Sequence, residues 1–480
     1  VLFIAVVLVY WPSFSADFIW DDDDYVTENS TLRDLDGLRR IWTDPWATPQ
    51  YYPLVHTTFW IEYHLWGLHP GGYHVVNVLL HAANAVLAGR ILQQLGLRGA
   101  WLAAAVFGLH PVHVESVAWV TELKNVLSAF FYLLSLRRFL CWQGFPSVPI
   151  TASSPPSAKH PASAKLTSGP RDYLLGGAFF VAALLSKSVT CSLPAVLLLL
   201  IFWRRPGRVP LRVLLSVVPL FAIGLLLALN TAWLERAHLH ASGPGFEWTF
   251  SERLLIAGRA LWFYAGKLVW PVDLAFMYPR WTLDSSSLSA WCLPMTAALV
   301  PLLLAAWRRR LTARLVAVLY FGGTLLPSLG FFNIYPMRYT YAADHYQYLA
   351  SLGLISFVAF FAAGNGPFDS AATTGIRRSF QFATVRIALL AAVLVGLAFL
   401  TWDRQSVFQN SKALWTDTLA KNPTCTVAHV HLGRIASRTG DFARAEQCFR
   451  DALRFRADDL ETHEIETNLA VALSAQQRYP

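Results

Sequence analysis

Apolar residues in this chain come in long runs, and polar residues gather between the runs instead of alternating with them. A helical crossing of a bilayer needs about 20 mostly apolar residues. Runs of that kind lie near 1–14, 74–95, 101–116, 123–140, 173–188, 191–203, 211–233, 291–307, 312–332, 348–363 and 386–402. The pattern predicts an all-α polytopic membrane domain over 1–402 with about eleven transmembrane helices. The opening run, VLFIAVVLVYWPSFSADF, has no small-residue cleavage site and reads as part of a first span rather than as a signal peptide.

Basic residues orient these spans. Arg90 and Arg98, Arg137 and Arg138, Arg204, Arg205 and Arg208, Arg308 to Arg310, and Arg377 and Arg378 fall in alternate loops, which are then cytoplasmic. The opposite loops, 15–73, 110–122, 234–290 and 332–347, hold the acids and face outward, as does everything after Trp402. The stretch Arg253 to Trp270 is apolar but carries Arg253, Arg259 and Lys267, and counting it as a crossing would put Arg308 to Arg310 outside. An interfacial or re-entrant helix pair is expected there.

Between the spans, 141–172 holds the Pro/Ser/Ala-rich stretch Ser147 to Pro170 and reads as a flexible cytoplasmic loop; Gly364 to Ser379 reads as a second one. After Trp402 the pattern changes to charged, amphipathic helix. Leu432, Gly433, Ala436, Ala445, Phe449 and Ala452 occupy the relative positions of the tetratricopeptide pattern. Trp415 and Phe449, Thr418 and Ala452, and Pro423 and Ala457 keep its 34-residue register, so 403–480 is expected to be a tetratricopeptide-repeat domain, cut within a repeat that begins at NLAVAL.

Composition agrees with the patterning: 480 residues, 55% hydrophobic and 14% charged, with a mean hydropathy of +0.40, exclude an ordinary soluble protein. No nucleic-acid partner is expected. Five scattered cysteines show no ligand-like spacing. Against a net charge of +9, the run Asp21 to Asp24 in FIWDDDDYVTEN concentrates acid just outside the first span.

Polar groups inside spans mark a polar interior or a site. His74, Asn77, His81 and Asn84 recur at steps of 3, 4 and 3, which puts them on one helical face, either for interhelical hydrogen bonds or for substrate. FGLHPVHVESVAW gathers His110, His113 and Glu115 around Pro111. A zinc site is disfavoured there, because HxxH on a proline-broken turn lacks the i, i+4 geometry of a helical metal pair; a cleft wall fits better. Lys124 and Lys187 stand near outer span ends, placed for snorkelling or for phosphate. The loop FFNIYPMRYTYAADHYQYLAS adds Arg338, Asp344 and His345, a set able to hold an anionic head group.

An acidic cluster with dispersed cations at the bilayer surface suits sugar transfer from a polyprenyl phosphate. The leaving phosphate needs positive charge, and the attacking hydroxyl needs one carboxylate base. Glycoside hydrolysis would usually take two carboxylates. FIWDDDDYVTEN, YYPLVHTTFWIEYHLWGLHPGGYHVVNVLLHAANAVL, FGLHPVHVESVAWVTELKNVLS, ADHYQYLASLG and the C-terminal segment, in this order, resemble the transmembrane and tetratricopeptide-repeat-containing O-mannosyltransferases and their bacterial relatives.

The resemblance implies a type C glycosyltransferase with its active site on the non-cytoplasmic face and a polyprenyl- or dolichyl-phosphate-linked donor, mannose being the sugar. It carries a catalytic set over to Asp21, Asp22 and, as the second acidic element, Glu115, and substrate-binding roles to Asn29, His110 and His113. Asp22 or Asp21 is then the general base, transfer inverts the anomeric carbon, Glu115 positions the acceptor, and Arg338 and Lys187 neutralise the departing phosphate, with Lys124, Asp344 and His345 at the same site. A divalent metal, Mg or Mn, on Asp21 and Asp22 is left open. Where the eukaryotic members have A-E-R-x-L-Y-L-P-S, this chain has ADHYQYLAS, which leans towards a bacterial inner membrane with a periplasmic site; a eukaryotic chain would be luminal in the endoplasmic reticulum.

The expected partners are that donor, membrane lipid, and a protein acceptor bound through Ser/Thr and held by the repeats. Rival readings are a non-enzymatic scaffold recruiting partners through the repeats, an enzyme of the same fold with a glycan or lipid acceptor, and a transporter. The last is disfavoured because the acids lie beyond the span ends and not at the midplane.

Overall fold

The computed structural model describes residues 1–145, 169–205, 209–238, 243, 246–308, 311–364, 376–455 and 462–476, which contain helices and turns and no strand. Most of the two loops expected to be flexible, 141–172 and 364–379, lies outside the described residues.

Helix α1 (Leu2–Val9) leads into the first loop, which carries α2 (Leu35–Thr43) and α3 (Pro53–Trp66). The long α4 (Pro70–Gln94) and α5 (Ala100–Leu109) follow, then a break at Pro111, the short α6 (Val114–Ala118) and α7 (Leu123–Trp142). Next come α8 (Pro170–Ser186), α9 (Leu193–Arg204), α10 (Leu211–Ala237), α11 (Phe250–Val269) and α12 (Cys292–Arg308). The bundle is completed by α13 (Ala313–Leu325), α14 (Ser351–Ala363) and α15 (Ile376–Arg404). A C-terminal set, α16 (Ser411–Lys421), α17 (Thr426–Arg438), α18 (Phe442–Phe455) and α19 (Thr462–Ala475), packs in chain order, each helix on the next.

The chain is an integral membrane protein, but eleven full-length spans do not form among the described residues. Four helices are long and apolar enough to cross alone: Pro70–Gln94, Leu211–Ala237, Leu288–Ala306 and Thr384–Phe408. A fifth candidate, Pro111–Ala118 with Val120–Trp142, is bent by 99°. Several other expected spans shorten to apolar helices such as Ala100–Leu109, Ser188–Arg204, Ala313–Ser328 and Ser351–Ala363. For the predicted 101–116 the break is local: Pro111 lacks an N–H and crowds the preceding turn, and the helix ends at Leu109, before His110 and Pro111.

The expected helix pair at 253–270 is also corrected. It is one continuous helix, α11, opened by a capping box between Thr249 and Glu252. Its charges are satisfied by the protein: Arg253 donates to the Gly330 carbonyl at 2.6 Å, Arg259 lies over the Trp281 ring, and Lys267 donates to the Val272 carbonyl at 2.7 Å.

Helix α4 sits at the centre, against α1, α5 and α7. The approach of α1 to α5 is close because Gly108 has no side chain; a Cβ there would stand 2.7 Å from Val6. In the C-terminal set, Gly433 admits the Phe449 ring in the same way, at 2.6 Å from where a Cβ would be. Trp415, Thr418, Phe449 and Ala452, the register pairs that are described, are all buried.

Candidate active site

The acidic run folds into a tight knot after the first helix. Ile19 N–H donates to the Asp22 carboxylate at 2.8 Å, and Asp22 N–H returns to the Ile19 carbonyl at 3.0 Å, a reciprocal turn that short acidic side chains favour. The other Asp22 oxygen accepts from Thr121 twice, from its N–H at 2.8 Å and its hydroxyl at 2.5 Å. Asp22 is wholly buried; it fastens the first loop to the bend before α7.

Asp21 remains partly exposed. Burial raises its carboxyl to about 6, with the Lys124 ammonium pulling down and Asp24 and Glu122 pushing up. Asp22 is raised to about 7, again by burial, although its three donors oppose that. Asp23 and Asp24 are exposed, and Asp23 accepts from the Thr27 hydroxyl at 2.9 Å.

Facing Asp21 is a buried charge cluster with Glu122 at its hub. The Glu122 carboxylate lies 3.2 Å from Lys124 Nζ, 3.4 Å from Lys187 Nζ and 4.0 Å from His345 Nε2. Lys187 also donates to Asn125 Oδ1 at 2.7 Å, and Asn125 Nδ2 donates to the His345 carbonyl at 3.0 Å. Lys124 lies over the rings of Tyr25 and Trp119, 5.1 and 5.4 Å from their centroids. His345 Nδ1 meets Glu115 Oε1 at 2.6 Å, Asp344 N–H donates to Glu115 Oε2 at 3.1 Å, and the Tyr278 hydroxyl donates to Asp344 at 3.0 Å. Burial, then the adjacent Glu115, holds the Asp344 carboxyl above the usual carboxylate range.

The structure thus brings Asp21, Asp22, Glu115, Lys124, Lys187, Asp344 and His345 together. Three other expected residues are tied to the scaffold instead. Asn29 caps a turn, accepting from Thr31 N–H at 3.0 Å and donating to the Tyr25 carbonyl at 3.2 Å. His110 has Nε2 at 3.0 Å from the Leu268 carbonyl and accepts from Val112 N–H on Nδ1. His113 spans the Phe107 carbonyl at 2.8 Å and the Ser351 hydroxyl at 3.0 Å. The ring nitrogens of the two histidines and the Asn29 amide are engaged by neighbouring protein groups. Arg338 is buried in the turn Tyr335–Arg338, its guanidinium 5.8 Å from the Tyr339 centroid.

Sequence reasoning passed over Glu122, Thr121, Asn125 and Tyr278. Only VTELKN held a signal: an acid set beside Lys124 at the start of an apolar helix. As for a metal, no group of three or more His, Cys, Asp or Glu among the described residues is arranged to hold one. Asp22 spends both oxygens on donors and Asp21 faces an ammonium, so the pair as folded does not fit a divalent ion.

No protein-family model matches the chain. It is similar to the human protein O-mannosyl-transferase TMTC4, 35% identical over 157 residues, which is 27% of this chain and 21% of that protein. The mouse protein O-mannosyl-transferases TMTC2 and TMTC3 are 34% and 30% identical over 145 residues each, covering 28% of this chain and 17% and 16% of theirs. These comparisons bear out the family resemblance read from the motifs. The chain spans about a fifth of the length of the curated relatives it matches. Among solved structures, ArnT from Cupriavidus metallidurans bound to undecaprenyl phosphate aligns over 99% of this chain and 77% of that one, with a TM-score of 0.38 and 14% identity.

Proposed function

We propose that this chain is an integral-membrane glycosyltransferase of type C that moves a sugar from a polyprenyl phosphate to a Ser/Thr hydroxyl of a protein. Its relatives' names point to mannose. The observation that carries the reading is the pairing of one partly exposed carboxylate, Asp21, with the buried Lys124 and the partly buried Lys187, both gathered on Glu122.

Asp21 takes the acceptor hydroxyl proton as that oxygen bonds to the anomeric carbon. The bond from that carbon to the phosphate oxygen breaks, and its electron pair leaves with the phosphate. Lys124 and Lys187 meet the charge that develops there, with Arg338 as a further cation; fixed charges in a buried setting are effective for this. Direct displacement inverts the carbon. Asp22, closed in by Ile19 and Thr121, orients Asp21, and Glu115 with His345 positions the cation side.

The site is assigned to the non-cytoplasmic face, on the arginine parity of the loops. Residues 403–480 are assigned as a tetratricopeptide-type segment that presents the acceptor; α17 and α18 pair through Gly433 and Phe449 in support. The test is transfer from polyprenyl-phosphate mannose to a Ser/Thr peptide in proteoliposomes. Asp21→Asn should lower the rate about 10²–10⁴-fold, the usual contribution of a general base. Turnover unchanged by Asp21→Asn would overturn the assignment.

A further inference from the structure

Trp20, the residue just before Asp21, has a φ of 45°. A bulky side chain enters that left-handed region only when its surroundings hold it there. Three rings do the holding. Trp119 stacks on Trp20 at 5.4 Å between centroids and 20° between planes. Phe276 and Trp415 meet it edge-on at 5.2 and 5.7 Å.

Trp119 belongs to the site already described, two residues before the Thr121 that fixes Asp22. Trp415 does not: it sits on α16, in the C-terminal set, wholly buried. It also packs on Phe276 at 5.6 Å, and His431 of α17 stacks on it at 4.6 Å and 9°. Hydrogen bonds secure the same junction. Asp17 N–H donates to the Gln409 carbonyl at 2.9 Å, Gln409 Nε2 to the Pro12 carbonyl at 3.0 Å, and the Ser13 hydroxyl to Gln405 at 2.8 Å. On the other side, Lys421 donates to the Leu274 carbonyl at 2.7 Å and Asn422 to the Met277 carbonyl at 3.2 Å, bracketing Phe276.

We infer that Trp415 is a positioning residue for Asp21, so that α16 and α17 form part of the catalytic unit and hold the Trp20 hinge on which the Asp21 carboxylate is carried. The role rests on the reading of Asp21 as the base. Freed from Trp415, Trp20 relaxes out of its left-handed conformation, and the next residue in the chain is the one that moves. Misplacement by about 1 Å is enough to lower a rate about 10²-fold.

The test uses the full chain with Trp415→Leu, which keeps an apolar group but removes the ring, and Trp415→Phe, which keeps a ring. Hydrogen exchange needs no substrate: Trp415→Leu should speed exchange across 17–29 and leave α4 unchanged, and unchanged exchange at 17–29 would overturn the inference. In the mannose-transfer assay Trp415→Leu should lower kcat about 10²-fold without raising the donor KM, and Trp415→Phe should restore most of it. Full kcat in Trp415→Leu, or a loss confined to KM, also overturns it. If Asp21→Asn is inactive while Trp415→Leu is fully active, only the positioning role fails; if Asp21→Asn is active, the base assignment fails.

Discussion

Two polar regions interrupt the apolar bundle, and they differ in how their hydrogen-bonding capacity is used. Along α4, Asn77 donates to the Trp119 and Val120 carbonyls at 3.1 and 3.3 Å. His81 meets the Tyr348 hydroxyl at 2.7 Å and the Gly108 carbonyl at 3.2 Å, and Asn84 donates to the Val126 carbonyl at 2.8 Å. These contacts are between neutral groups and run from helix to helix. At the mouth of α7, two ammonium groups with three donors each share one Glu122 carboxylate, beside the partly exposed Asp21. In the first region Asn77, His81 and the Asn84 amide nitrogen tie neighbouring segments together, while the His74 ring nitrogens and the Asn84 Oδ1 are buried without a hydrogen-bond partner; in the second, the ammonium groups keep capacity for an incoming anion. Burial alone does not separate them, because His81 and Glu122 are both wholly buried.

The contrast can be broken by variants on either side. Replacing Lys124 and Lys187 together by Met should lower kcat about 10²–10³-fold in the mannose-transfer assay, the range seen when transition-state charge stabilisers are removed. A double variant that transfers normally would show the mouth to be as structural as α4. The pH profile is a gentler probe. A base works only when ionised, so with Asp21 at about 6 the rate should fall about tenfold per unit below that pH and level off above it. A rate flat through that range would remove Asp21 from the role.

On the α4 side, His81→Ala should cost about 1 kcal/mol of stability, typical of an interhelical hydrogen bond in a membrane bundle. The rate per folded molecule should not change; thermal unfolding in detergent with parallel kinetics decides this. The smallest effect is expected from Asp23→Asn with Asp24→Asn, within about 0.5 kcal/mol in stability, because both are exposed. Asp24 raises the Asp21 pKa, so its neutralisation should move the acidic limb of the profile slightly to lower pH.

Much of this was legible in the chain. The inward face of His74, Asn77, His81 and Asn84 follows from their spacing alone, and all four are buried. Asp21, Asp22 and Glu115 stood out because acids beside apolar runs are conspicuous. Span lengths were less legible: apolar composition continues through Pro111, where the backbone cannot, so 101–116 could not be one helix. His110 and His113 looked like site residues because the ring nitrogens of a histidine can serve a carbonyl as well as a substrate, and only the contacts tell which.

The sequence by itself determined what depends on local repetition: apolar runs long enough for a bilayer, basic residues in alternate loops, a 34-residue register, and an acidic run at the end of a span. Tertiary structure decided what depends on distant chain segments meeting. Asp22 is closed off by Thr121, 99 residues away, and Glu115 is joined to His345 across 230. The Trp20 hinge is held by a ring from the C-terminal helices. Periodicity reports which face of an element turns inward, but not what that face meets, and in this protein the division between polar groups of the candidate site and those that tie helices together is set by what each one meets.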